Sequence, residues 1–265
     1  MSLRRMAADN VVIVDTSRPR PEVIGEMDQF SAPVFLHEQA IYLHEGAQYH
    51  VDQLDWEAKK AYVRPVEVDH YTDALMSTRV EVLDTFGGPD SGPLARSHGE
   101  VKLTSLATMF KKIRFHTHEN IGSGPIHLPE QTLHTTGWWI SVDPGLVGDV
   151  EEAGLQGMAH ALRHVAALRL MCDPHDLGAV AEVRSTHTRL PTVTVFEAYP
   201  GGVGYARRLF ELHDQLLAAA ADLVAECPCA AGCPSCIGPL HLVPGAKDAC
   251  LRLLRAQALT YSASA

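Results

Sequence analysis

The chain has 265 residues, 46% of them hydrophobic and 20% charged, and a formal net charge of −10 with its 15 histidines neutral. That length can bury a substantial core as one large domain or two small ones; the acidic balance excludes a generally basic coat for nucleic acid but not a local basic groove. No run approaches the ~20 apolar residues of a membrane span, and residues 1–6 lead into no signal-peptide apolar region, so a reducing cytoplasm is the expected location.

In chain order, residues 10–15 form a short apolar run of strand type, ended by the Pro-rich joint 18–21, with a second strand over 23–27. Residues 40–44 and 47–54 flank Glu45-Gly46 and predict a hairpin; 60–66 is a further strand stopped by Pro65. Residues 78–83 alternate cleanly, 86–98 reads as a flexible surface loop, and 99–116 as two strands or one long bent one. Residues 135–142 give a last aromatic strand.

From Asp143-Pro144 the period changes. Leu155, Met158, Ala159, Leu162, Val165, Ala166 and Leu170 recur at helical spacing, so 150–171 is an amphipathic helix. A polar loop at 173–178 leads to a strand near 180–184 and a stronger one at 192–199. The Gly-rich turn 200–204 then opens a long helix over 205–226, and a final helix is expected over 246–258. The expected fold is α+β: an N-terminal arm (1–29), a β-rich antiparallel lobe (30–142) and a mixed α/β lobe with a four-cysteine knuckle (143–265).

Four of the six cysteines, Cys227, Cys229, Cys233 and Cys236, fall within ten residues. The intervening Pro, Ala, Gly and Ser fold back tightly and can bring four thiolates to one tetrahedral cation, the arrangement of a closed structural zinc site. A disulfide pair, a redox Cys-x-x-Cys and an iron–sulfur cluster are the alternatives. The short Cys-x-Cys step and the lack of a secretory signal favour zinc. Cys172 and Cys250, in apolar surroundings, read as buried thiols.

Three other constellations could carry chemistry. Gly201, Gly202 and Gly204 lie between strand and helix, where free amides favour an anion; a tight turn needing positive φ is the preferred reading. His160 and His164 are spaced for one metal, with Asp173 and Asp176 just beyond, but Ala161 stands where a zinc-protease helix needs Glu. A packed or capping pair is preferred for the histidines, and turn and N-cap chemistry is open to the aspartates. Lys111, Lys112 and Arg114, flanked by Phe110 and Phe115 and placed near Trp138 and Trp139, make a basic strip with stacking platforms for nucleic acid, weighed against a solvated strand face. There is no P-loop and no Gly-x-Ser-x-Gly elbow, so this chain alone is not expected to hydrolyse ATP.

Taken in order, residues 40–46 with 49–51, His160-Ala-Leu-Arg-His164, Cys172-Asp173 with Asp176-Leu-Gly178, Pro200-Gly-Gly-Val-Gly204 and the cysteine knuckle resemble the C-terminal zinc-binding domain of bacterial DEAD/DEAH-box superfamily 2 helicases of the mitomycin-repair type. The resemblance implies that Cys227, Cys229, Cys233 and Cys236 hold structural Zn2+. It also implies that the domain works beside helicase motor domains, in cis or in trans, and guides single-stranded DNA without catalysis of its own. Arg163, where an acid is common, and the segment 240–245, which lacks the usual Asn-rich pattern, depart from the family. The opening Met1-Ser2-Leu3 resembles an expression leader, which favours a domain excised from a longer helicase. A protein–protein interaction module, or a small-ligand enzyme using the Gly-rich turn with His160, His164 and Asp176, are the competing functions.

Overall fold

A computed structural model describes residues 10–90, 92–238 and 243–262, with side chains described as far as Gln257. The expectations drawn from residues 1–6 and from 240–242 lie outside the described residues. The chain divides into two compact units, residues 1–78 with 105–131 and residues 79–104 with 132–265.

The first unit contains a five-stranded sheet. Strands β1 (Asn10–Asp15), β2 (Glu22–Asp28), β3 (Ile41–His44), β4 (Ala47–Asp55) and β5 (Lys60–Val66) lie in the order β2-β1-β5-β4-β3, with a one-turn helix α1 (Ala32–Phe35) between β2 and β3. Alternation puts Val11, Ile13, Val51, Ala61 and Val63 on one face, where Ala32, Leu36 and Ala40 complete the core. Glu45 and Gly46 both have positive φ, as the two-residue turn between β3 and β4 requires. Residues 10–28 are integral to this sheet, since β1 pairs with β2 and, in parallel, with β5.

Pro65 does not stop β5. The parallel ladder to β1 ends at Asp15↔Val63, so the missing Pro65 amide falls where no partner on that side needs it. Part of β6 (His70–Gly87), part of β7 (Leu94–Arg114) and β8 (Asn120–Pro125) complete this unit, with Phe110, Ala74, Ala107 and Ile126 in a small core.

The second unit carries the other parts of β6 and β7, then β9 (Gln131–Val142), a short α2 (Pro144–Val147), α3 (Glu152–Leu170), β10 (Leu177–Glu182), β11 (Thr192–Glu197), α4 (Tyr205–Glu211), α5 (His213–Glu226) and α6 (Ala246–Ser262). β11 lies between β10 and β9, antiparallel to both, and is buried at all six positions. The apolar stripe of α3 forms as the spacing predicts: Leu155, Met158, Ala159, Leu162, Val165 and Ala166 are buried against Ile140, Val142, Val193 and Val195. The small Gly154 lets α6 approach closely, because a Cβ there would lie 2.8 Å from that of Ala249.

Two further expectations change, at 86–98 and at 205–226. The loop expected over 86–98 is a short turn between Gly87 and Leu94, pinned because Asp90 accepts from the Arg96 backbone amide (2.9 Å) and from its Nε (2.7 Å). Residues 94–114 form one long strand, the second of the two readings given for 99–116. The helix expected over 205–226 is interrupted at Leu212, and the break turns His213 into the core beside Trp138, with ring centroids 5.8 Å apart.

Candidate metal centre

Helix α5 ends at Glu226, and Cys227, its C-cap, leaves the helix with extended backbone. Gly232, at φ +110°, turns the chain back where a side chain would collide with Ile237. A further turn follows in which the Cys236 and Ile237 amides both donate to the Cys233 carbonyl at 3.1 Å. The four sulfurs converge: Cys227–Cys229 and Cys229–Cys236 are 3.5 Å apart, Cys227–Cys233 3.6 Å and Cys233–Cys236 3.7 Å. A tetrahedron with metal–sulfur bonds of about 2.3 Å has edges of about 3.8 Å, whereas a disulfide requires about 2.05 Å. The cluster therefore fits a mononuclear tetrathiolate and not a paired disulfide.

The backbone supports the same donors. The Cys233 amide donates to the Cys236 sulfur at 3.3 Å. Lys247, at the start of α6, donates from Nζ to the carbonyls of Cys227 (2.9 Å) and Cys229 (2.6 Å). The Cys236 amide, then the Cys227 side chain, pull the Cys233 thiol down to about 6, while burial pushes Cys236 up to about 12. Burial likewise pushes Cys250 up to about 12, leaving it a neutral core thiol.

The other predicted residues take structural places. His164 donates from Nδ1 to the His160 carbonyl (2.9 Å), and the two rings contact each other with centroids 4.3 Å apart, tilted by 37°. Burial, then the neighbouring His164, lower the His160 pKa. Asp173 and Asp176 form a capping box on the turn 174–176. Asp173 accepts from the His175 amide (2.9 Å), and Asp176 accepts from the Asp173 amide (3.1 Å) and the Tyr199 hydroxyl (2.5 Å). Arg163 anchors the same loop through the carbonyls of Leu177 and Pro174, both at 2.8 Å.

The Gly-rich turn already holds an anion of its own. Gly201, Gly202 and Gly204 all have positive φ, and the fully buried Glu197 carboxylate accepts from the amides of Val203 and Ala206 and from the Thr136 hydroxyl. The amides offered to a ligand are therefore taken. In the adjoining cleft of about 690 Å3, lined by Phe86, His98 and Phe210, Arg207 is already paired with Glu211 at 3.4 Å.

The basic strip survives only in part. Arg114 is exposed, with Nε 3.5 Å from Asp69, and Lys112 lies 5.9 Å from the Phe110 ring centroid. Trp138 is a correction: it is fully buried under the helices of the second unit and offers no ring face to a base. Trp139, 2% exposed, is equally closed. Sequence reasoning missed Lys247 and Glu197. An isolated Lys at a helix start and a Glu ending a strand carry no local signature; only the fold gives them partners.

An α+β scaffold that gathers four thiolates behind a helix terminus defines a zinc-binding domain of structural type. Residues 158–237 match the family described as the MrfA Zn-binding domain. The chain is 44% identical over 258 residues to the Bacillus subtilis (strain 168) protein called uncharacterized ATP-dependent helicase YprA, covering 96% of this chain and 34% of that protein. It is 24% identical to the ATP-dependent helicase HRQ1 of Saccharomyces cerevisiae, over 89% of this chain and 24% of that one. Among solved structures, the DUF1998 helicase MrfA bound to DNA aligns at a TM-score of 0.66 and 43% identity over 97% of this chain and 35% of its own. MrfA alone aligns at 0.67 and 39%, over 93% of this chain and 34% of its own. The chain thus spans about one third of YprA and MrfA.

Proposed function

We propose that this chain is the non-catalytic, zinc-binding accessory domain of an ATP-dependent DNA helicase, with Cys227, Cys229, Cys233 and Cys236 as the ligands of one structural zinc ion. The sulfur tetrahedron, lying within the residues that match the MrfA Zn-binding domain, carries this reading. Zinc would supply a fixed crosslink between the end of α5 and the turn that precedes α6, with no coordination position left for substrate. The likeness to MrfA, a helicase solved bound to DNA, supports docking on motor domains and contact with DNA; guidance of a single strand and a cytoplasmic location are part of the same proposal.

The DNA role is tested on this chain with a fluorescent single strand at rising salt. Binding that neutralises phosphates weakens steeply as salt increases. Lys112→Ala with Arg114→Ala is expected to weaken low-salt binding several-fold and flatten the salt slope by about two charges. No binding at low salt would instead favour a protein–protein interaction module, the reading that the net charge of −10 supports.

A further inference from the structure

Lys247 is only 8% exposed and sits in the first turn of α6. A lysine there is disfavoured twice: it lies at the positive end of its own helix dipole, and it is withdrawn from water. Its two hydrogen-bond acceptors, the carbonyls of Cys227 and Cys229, are neutral and do not cancel its charge. Two neighbouring features do. Cys227 caps the C-terminus of α5, where exposed carbonyls favour a cation. The four cysteines, once ionised around a divalent ion, carry a net charge of −2 (−4 from the thiolates, +2 from the metal).

We propose that Lys247 is the positioning residue of the metal centre: its hydrogen bonds fix the Cys227–Cys229 backbone so that both sulfurs face the ion, and its ammonium offsets half the charge of the tetrathiolate. The same side chain ties the end of α5 to the start of α6, so zinc occupancy and the packing of these helices are coupled through one residue. This rests on the ligand set proposed above. Loss of a group that orients a metal ligand typically costs about 10- to 100-fold in metal affinity.

The test is chelator-driven zinc release from the zinc-loaded chain, followed colorimetrically, with the thermal midpoint measured in parallel. Lys247→Met keeps the apolar stem and removes the charge and donors; it is expected to release zinc about 10- to 100-fold faster than wild type. Lys247→Arg is expected to stay near wild type, and Lys247→Gln, with a donor but no charge, to fall between. A purely packing residue predicts wild-type release for Lys247→Met, and that result overturns the proposal. Equal acceleration in the Arg and Met variants overturns it too. Should Lys247→Met fail to fold, faster release from Lys247→Gln supports the proposal and an unchanged rate overturns it. A folded wild type purified without zinc contradicts the ligand set itself, a separate and recognisable failure.

Discussion

His213 is a core residue whose acid–base chemistry the fold alters strongly. Nothing marks it in the sequence, yet it is 1% exposed, lies edge-on to the Trp138 ring, and burial drags its pKa down to about 4. Arg96 acts in the same direction as burial, and only Asp214, Asp90 and the Leu94 backbone oppose it, so the folded chain resists protonation that the unfolded chain accepts near pH 6.5. Between those values the unfolded state binds more protons, so stability falls as pH drops from about 6.5 to about 4, by roughly 3 kcal/mol in all. Thermal unfolding of wild type and His213→Leu across this range checks it, because the difference between them removes the acid lability of the thiolates. The wild type is expected to lose stability more steeply; parallel curves would show that His213 is not the sensor.

Among the elements, those with local, periodic signals were legible and those fixed by tertiary contacts were not. The stripe from Leu155 to Ala166 showed α3, because helical spacing maps directly onto one buried face. Glu45-Gly46 showed the hairpin, because few residues tolerate positive φ. The break at Leu212 was hidden, since Ala- and Leu-rich sequence favours helix on both sides and only the burial of His213 separates α4 from α5. Pro65 misled for the same reason: whether a proline ends a strand depends on which neighbour needs its amide. The knuckle was fully visible, whereas Lys247, buried beside it, was not.

The junction of β11 with α4 shows the cost of that blindness. A Gly-rich turn before a helix suggests a waiting anion site, but Glu197 supplies the anion from one residue type no turn motif includes. Replacing it by Ala leaves the buried Ala206 amide and the part-buried Val203 amide without their acceptor and is expected to destabilise the second unit by about 2–3 kcal/mol. Differential scanning calorimetry checks this; a midpoint within a degree of wild type would mean that water replaces the carboxylate and the turn is free to bind other anions.

For the whole molecule, charge and architecture point in different directions. The chain is acidic, it spans about a third of YprA and MrfA, and the singled-out side chains mostly serve the fold: Asp173 and Asp176 cap a turn, His160 and His164 pack against each other, and Trp138 and Trp139 fill the core. What remains specific is the four-cysteine clasp between the end of α5 and the turn before α6. The direct measurement of that claim is metal content by native mass spectrometry of wild type and Cys233→Ser, with thermal stability recorded on the same samples. The account predicts one zinc per wild-type chain, with zinc loss and a clearly lower midpoint in the variant. A folded wild type without zinc, or a Cys233→Ser variant that keeps both its metal and its midpoint, would contradict it.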